Sequence, residues 1–394
     1  MAKQELIPVE QARALLLDTV NTLETEKVPL IEALGRISAK NQTSDIDISP
    51  FDHSAMDGFA VVASDLANAT PEAPIELPVI DEIPAGAYYD KVLQPGTCVR
   101  IMTGAPIPDG ANAVVKYEIV TNLENDGRAP GRVAFSAPTS AGDNIRQKGE
   151  EIAAGEVAIK AGEPLSPAGA GLLASCGLSQ VEVYKRPRVA VIPIGSELVE
   201  PDTLPLPGQI RDGNSYAIGA SVVRAGGIPH LHSIVPDDKD MLAAAVLEAV
   251  EESDFVVTSG GASNGDFDYI QQVVKEQGEL FMDFVNMRPG KAQTFGLVKN
   301  TPVFGLSGNP AAAYCGFEML VRPALRKMQG YATLDRPRVW ARLSRDMKKK
   351  DSRRIYLRST LERLDDGSLQ VRPAKSQSSG LFSPFQSLSL IHIS

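Results

Sequence analysis

Cysteine is scarce in this 394-residue chain, and Cys98, Cys176 and Cys315 are odd in number and far apart. That excludes a disulfide framework and a cysteine zinc site, and it fits three buried thiols in a reducing compartment. Histidine is also scarce, with only four, and His230 and His232 alone lie close together, as alternate residues of one strand. An excess of positive charge is missing: 39 Lys and Arg face 49 Asp and Glu, for a net charge of −10. This argues against non-specific nucleic-acid binding but leaves room for a local basic pocket that takes a small anion. No apolar run approaches membrane-spanning length. The opening Met-Ala-Lys-Gln-Glu-Leu lacks the apolar region of a signal peptide. No internal repeat is visible. These absences lead us to expect a soluble cytoplasmic protein that binds neither nucleic acid nor membrane.

What is present is 43% hydrophobic, in a length that suits roughly two to four domains. Val9, Ala12, Leu16, Val20 and Leu23 recur at helical spacing after Pro8 and predict an amphipathic helix. Residues 30–39 read as a second, shorter helix, with Ile31, Leu34 and Ile37 on its apolar face and Gly35 against it. From Phe51 to about Ser140 the texture changes to short strands between Pro and Gly clusters, at 59–62, 75–80, 97–102, 113–117 and 132–135. This is a β-rich module without a long helix. Asp57 and Thr103 stand at its loop ends, where turn chemistry and function both place polar residues. Arg146 and Lys148 form either an anion contact or a solvated strand face. A helix is predicted over 166–175.

From Pro187 strands alternate with helices, which predicts a mainly parallel sheet. The strands fall at 188–194, 228–235, 255–258 and 302–306, and the helices at 216–224, 239–252, 269–276 and 311–328. The stretch 254–268 is the organising one. A short apolar strand runs into Ser259-Gly260-Gly261, then into the turn Ser263-Asn264-Gly265, then to Asp266 and Asp268 at the head of a helix. Glycines there let the backbone turn sharply and present N–H groups to an anion, and the carboxylates suit a divalent cation. Alone, the stretch is equally an ordinary strand-to-helix turn. Loops beginning at Gly195, Ser259 and Ser307 all follow strand ends, however, and parallel sheets bind ligands at the carboxyl ends of their strands. Their convergence predicts a ligand site. After Gly330, alternation at Val339, Ala341 and Leu343, then Ile355 and Leu357, with Asp366-Gly367 as a hairpin turn before Leu369 and Val371, predicts a small β domain.

The motifs SAMDGFAV, RIMTGAPIPDGANAVV, NIRQKGEE, IPIGSEL, TSGGASNGDFDY, NMRPGKAQTFG, VFGLSGNPAAAY and AKSQSSG run in order through nearly the whole chain. Together they resemble the molybdopterin molybdenumtransferase family, the MoeA proteins and the E domain of gephyrin. The resemblance implies a multidomain α/β plus β protein in four parts. These are a discontinuous helical linker domain (1–47 with 146–186), an inserted β-rich domain (48–145), a three-layer molybdopterin-binding α/β domain (187–330) and a C-terminal β-barrel (336–394). It implies that adenylylated molybdopterin and molybdate are substrates and that magnesium assists release of AMP. It implies a homodimer, in which the inserted domain reaches the site of the partner subunit, and a molybdopterin adenylyltransferase acting upstream.

Carried onto this chain, the resemblance gives Asp57, Thr103, Glu197, Asp237 and Asp268 catalytic roles, with Asp268, Asp237 and Glu197 as magnesium ligands. Ser259, Gly260, Gly261, Ser263 and Gly265 fall in its nucleotide-phosphate loop, and Pro289, Gly290, Lys291, Gly308, Asn309 and Pro310 in neighbouring substrate loops. Arg288, Arg358 and Ser379 stand where the family places anion-binding groups. The chain departs from the pattern at Ser307, often proline, at Phe284, often lysine, and at Glu151, often aspartate. Phe284 is therefore expected to leave Arg288 without a basic helper. Residues 387–394 do not resemble the family's ending, so the fourth domain is expected to be truncated, with an unpaired sheet edge and lower stability. Leu388, Leu390, Ile391 and Ile393 offer a makeshift strand for that edge, but their spacing matches no clear alternation. Two other readings stay open. One is a molybdopterin adenylyltransferase on the same core. The other is a non-catalytic, peptide-binding scaffold.

Overall fold

The computed structural model describes residues 6–261, 269–349, 351–381 and 389–393. The apolar stripe after Pro8 forms the helix Val9–Thr19, with Val9, Ala12 and Leu16 buried. Its partners are not its neighbours in sequence. These residues and Val20 join Val189, Phe255, Phe304 and Leu325 in the core of the α/β domain. The first helix, expected with the 1–47 unit, thus packs on the 187–330 unit. Burial of apolar surface is not directional, so a stripe shows that a helix is covered without showing by what.

The helix expected at 30–39 does not form. Gly35 takes a φ of +75°, which no α-helix accommodates, and Ile31 is 84% and Leu34 56% exposed. Thr25–Pro29 is instead a strand that pairs antiparallel with Gln180–Tyr184. Gln42–Thr43 likewise pairs with Val157–Ile159. Val28, Ala33, Leu165, Leu173, Val181 and Val183 share one small core, so two distant segments build one unit. The helix Pro167–Ser175 lies in it, with Ser166 Oγ accepting from the Gly169 N–H.

The inserted module is a six-stranded sheet in the order Ala113–Lys116, Gly58–Val61, Cys98–Ile101, Ile75–Ile83, Gly131–Phe135 and Val120–Glu124. The last strand was not anticipated. Alternation sends Phe59 and Val61 to one core and Ala60 to another. The thiols of Cys98, Cys176 and Cys315 are all buried and unpaired, and burial pushes Cys98 up to about 12.

The α/β sheet runs Ile228–Leu231, Arg188–Pro193, Phe255–Ser259, Thr301–Leu306, Ala292–Val298, Gly278–Phe284. The first four strands are parallel and the last two antiparallel. Odd and even residues of Arg188–Pro193 feed two cores, Val189 and Val191 on one face, Ala190 and Ile192 on the other. Helices cover both faces, as a buried parallel sheet requires. The hairpin Gly278–Val298 escaped the sequence reading because register shifts near Met282 break its alternation.

In the last domain, Arg354–Arg363 is the shared strand. It pairs with Leu369–Pro373 across the expected turn, where Ser368 donates twice to Asp366 Oδ1. The alternation at 339–343 yields only the short strand Arg342–Leu343, and Trp340 is fully exposed. The edge expected to lie open is covered, because Ser389–Ile393 pairs antiparallel with 355–359. Main-chain pairing needs an extended backbone and a free edge, not side-chain alternation.

Candidate active site

The parallel register sets Pro193 beside Ser259 and Ser259 beside Leu306. Three strand ends, and the loops that follow them, therefore lie side by side as expected. Backbone bonds lock them: Ile194 N donates to Ser259 O at 2.8 Å, and Gly260 N donates to Leu306 O at 3.1 Å. Gly260 has a φ of +96°, and a Cβ there would fall 2.2 Å from Ile194 O. Thr258 and Ser259 are 0% and 3% exposed, and their hydroxyls find no hydrogen-bond partner among the described residues. Orphan hydroxyls beside a glycine turn fit a polar ligand.

Gly308 approaches Gly260, and Pro310 opens the helix Pro310–Gly316 that continues to Met328. Proline at the first helical position leaves no N–H to satisfy. Asn214 Nδ2 donates to Gly308 O at 2.8 Å, tying a second helix to this loop. In sequence Asp212-Gly-Asn-Ser215 reads as a cap for the helix that follows, and Asp212 Oδ1 does accept from Ser215 N, but that reading does not reveal the contact Asn214 makes.

The two acidic residues on neighbouring loops converge. Gly195 N donates to Val235 O at 3.0 Å. Asp237 Oδ2 accepts from Ser196 N, and Asp237 N donates to Ser196 Oγ, both at 2.9 Å. Glu197 folds back, its Oε2 lying 2.5 Å from where a Cβ on Gly195 would stand. Both carboxylates thus flank the Gly195–Ser196 peptide. No cluster of three or more Asp, Glu, His or Cys able to hold a metal occurs among the described residues. The donor set fits a hard cation shared with substrate oxygens and water rather than an all-protein cage. Asp268, Ser263 and Gly265 lie outside the described residues.

On the other side, Arg288 precedes Pro289 and pairs in register with Ile355 of the β domain. Its Nη1 donates to Asp351 Oδ2 at 3.0 Å. Asp351 also holds Arg353. Arg288 was expected to have no basic side chain near it, but Arg353 of the β domain shares the Asp351 carboxylate with it. Lys291 Nζ sits 5.4 Å from the Phe284 ring centroid, within reach of a cation–π contact. Gly290 turns the chain at φ +93°, and Gln293 Nε2 donates to its carbonyl at 3.2 Å.

Arg358 is 2% exposed. Its Nη1 donates to Ser378 O at 2.8 Å, and Gln377 bonds its backbone N–H and C=O at 3.1 and 2.9 Å. Ser379 O in turn accepts from Ala311 N at 2.9 Å. Arg358 therefore moors a loop, and that loop docks the β domain on the helix after Gly308-Asn309. Arg358, Ser379 and 308–310 are thus brought together.

Asp57 and Thr103 meet within the inserted module. Asp57 Oδ1 accepts from Thr103 N and from Thr103 Oγ1, both at 2.7 Å. The backbone N–H, then the hydroxyl, hold the carboxyl below its usual range. A depressed carboxyl contributes stability above its unfolded pKa and loses it as pH falls through the folded value. The melting-temperature gap between the parent and Asp57→Asn should therefore shrink below about pH 4. A gap constant from pH 7 to 3 would refute this.

Three family signatures match the chain. The MoeA N-terminal region (domain I and II) covers residues 7–177, a probable molybdopterin binding domain covers 190–327, and the MoeA C-terminal region (domain IV) covers 340–387. A molybdopterin molybdenumtransferase of Bacillus subtilis (strain 168) is 38% identical over 83% of this chain and 76% of its own. Molybdopterin molybdenumtransferase 2 of Mycobacterium tuberculosis (strain CDC 1551 / Oshkosh) is 35% identical over 90% and 87%. A crystal structure of the molybdopterin biosynthesis moeA protein from Pyrococcus horikoshii OT3 superposes with a TM-score of 0.82 at 32% identity, covering 98% of this chain and 96% of that one. With these signatures over 7–177, 190–327 and 340–387 and relatives 35–38% identical over most of the chain, the protein belongs to the molybdopterin molybdenumtransferase family.

Proposed function

We propose that this chain inserts molybdenum from molybdate into adenylylated molybdopterin and releases AMP. The observation that carries the reading is the junction of three strand-end loops with two carboxylates on one side and the docked β domain on the other. The Ser259–Gly261 turn and the orphan hydroxyls of Thr258 and Ser259 suit the nucleotide phosphates. Glu197 and Asp237, with Asp268, would hold magnesium, which when bound draws charge from the phosphate oxygens as the anhydride to AMP is cleaved. Arg288 and Lys291 offer positive charge to the molybdate oxygens.

Asp57 and Thr103 are bonded to each other inside their own module, and on the family resemblance we place them at the site of a partner subunit in a homodimer. An adenylyltransferase would supply the substrate. No helix among the described residues is long and apolar enough to cross a membrane, and we place the reaction in the cytoplasm.

The test is reconstitution from adenylylated molybdopterin, molybdate and magnesium. Asp237→Asn should cut AMP release at least about tenfold by weakening the magnesium site, with melting little changed. Mixing it with Asp57→Ala should restore part of the activity through one intact composite site. Parental turnover by Asp237→Asn would overturn the acidic role, and absence of complementation would overturn the shared site.

A further inference from the structure

The segment 345–354 carries Arg345, Lys348, Lys349, Lys350, Arg353 and Arg354 against Asp346 and Asp351, in a chain whose net charge is −10. Such a local excess raises the concentration of small anions around it. Asp351 sits in its midst with both oxygens filled. Oδ1 accepts from Arg353 N and Nε at 3.0 Å each, and Oδ2 accepts from Arg353 Nη2 at 2.6 Å and Arg288 Nη1 at 3.0 Å. Four donors saturate the lone-pair sites of a carboxylate. Of the charges nearby, Arg354 pairs with Glu10, and Lys291 lies over the Phe284 ring.

Guanidinium forks bind carboxylates and tetrahedral oxyanions through the same paired donors. We propose that Asp351 is a latch on an oxyanion site: its carboxylate fills the place between Arg288 and Arg353 that a doubly charged tetrahedral oxyanion of the molybdate class takes in the loaded enzyme. Arg353 is then the second guanidinium of that site. This rests on the reaction proposed above. The exchange makes and breaks only ionic hydrogen bonds. The oxyanion takes over the side-chain donors, and the carboxylate turns to water.

The site is placed for this exchange. Arg288 is in the short strand Met287–Arg288, its side chain is 59% exposed, and that strand lies in register with the start of the Arg354–Arg363 strand. Asp351 stands on irregular backbone just before that strand. Arg353 and Arg288 hold the Asp351 carboxyl well below the usual range, so it stays charged at physiological pH and opens by displacement rather than protonation. A dianion brings twice the charge of the resident carboxylate and displaces it, whereas a monoanion only matches it. The latch thereby selects doubly charged oxyanions.

Opposite signs make the idea testable. Asp351→Asn, which keeps an acceptor for the Arg353 N–H, should lower the half-saturating molybdate about three- to tenfold. Arg353→Ala should raise it about tenfold or more. Half-saturation for adenylylated molybdopterin should move far less in both, which a general loss of structure would not produce. An unchanged or raised molybdate requirement in Asp351→Asn, or an unchanged one in Arg353→Ala, would overturn the proposal. Calorimetric titration of molybdate alone into the full chain and the two variants gives the same ordering without turnover. If the parent releases no AMP, the reaction reading fails while the titration still judges the latch.

Discussion

Gly260→Ala is expected to reduce kcat/KM for adenylylated molybdopterin by about a hundredfold or more, the penalty of misplacing a substrate by about 1 Å. The reason is local and steric. At φ +96° an L-residue is strained by roughly 1–2 kcal/mol. The new Cβ would also lie 2.2 Å from Ile194 O, and a backbone carbonyl cannot rotate away as a side chain can. Relief requires the 255–259 strand end to part from the 188–193 strand end. That would break the Ile194 N to Ser259 O bond and strain the Gly260 N to Leu306 O bond, which together hold the three loops side by side. Because the strain sits at the loop, melting should fall by only a few degrees, as a change of about 1–2 kcal/mol does in a domain of this size. Gly171→Ala is the control: it lies in the helix Pro167–Ser175 with nothing within 4 Å of the added carbon, and it should be neutral or stabilising. AMP release and thermal melts decide the matter. A Gly260→Ala enzyme with parental kcat/KM would rule out this loop as the phosphate seat.

The second large effect is expected at Arg358, the bulkiest of the fully buried side chains among the described residues. Arg358→Ala removes donors from the carbonyls of Ser378 and Leu381 and leaves a cavity beneath the 374–381 loop. Lost charge-assisted bonds and the cavity together should cost the β domain roughly 3 kcal/mol. The Ser379 carbonyl would then no longer be held against Ala311 N. Arg358→Lys should rescue little, since an ammonium lacks the planar fork. Hydrogen exchange should show early loss of protection at 354–363 and 374–381, with the 255–259 strand unchanged. Molybdate insertion should fall more than binding of the organic substrate. Equal protection in variant and parent would refute the mooring role.

Both effects show why part of the site was legible in one dimension. Ser259-Gly260-Gly261 announces itself because a buried strand ending in two glycines implies a turn that side chains would obstruct, and Gly260 has that geometry. The Gly195 and Ser307 loops could be added because a parallel sheet puts strand ends on one edge. Asp351 and Arg353 carried no such signal, being two among many charges in 345–354. They acquire meaning only where the strand at 354 lies beside Met287–Arg288. Asn214 was hidden for a similar reason, since a cap motif explains its type without its bond to Gly308, 94 positions away.

What the sequence determined by itself is the set of local conformations with short-range causes. These are the buried strands at 188–193, 255–259 and 301–306, the helix Lys239–Glu252 with Leu242, Val246 and Ala249 inward, and the Asp366-Gly367 turn. Periodicity, caps and turn residues act over a few positions, so they can be read there. The tertiary structure alone decided that 25–29 pairs with 180–184 rather than leading into a helix, and that Val9–Thr19 covers the α/β core. It also decided that 389–393 covers the edge at 355–359, that Arg358 faces inward, and that Asp351 joins two arginines from different domains. The physical reason is common to all five. Backbone pairing, apolar burial and charge-assisted bonds are satisfied by any partner of suitable edge, surface or charge, and which partner arrives depends on the path of the whole chain.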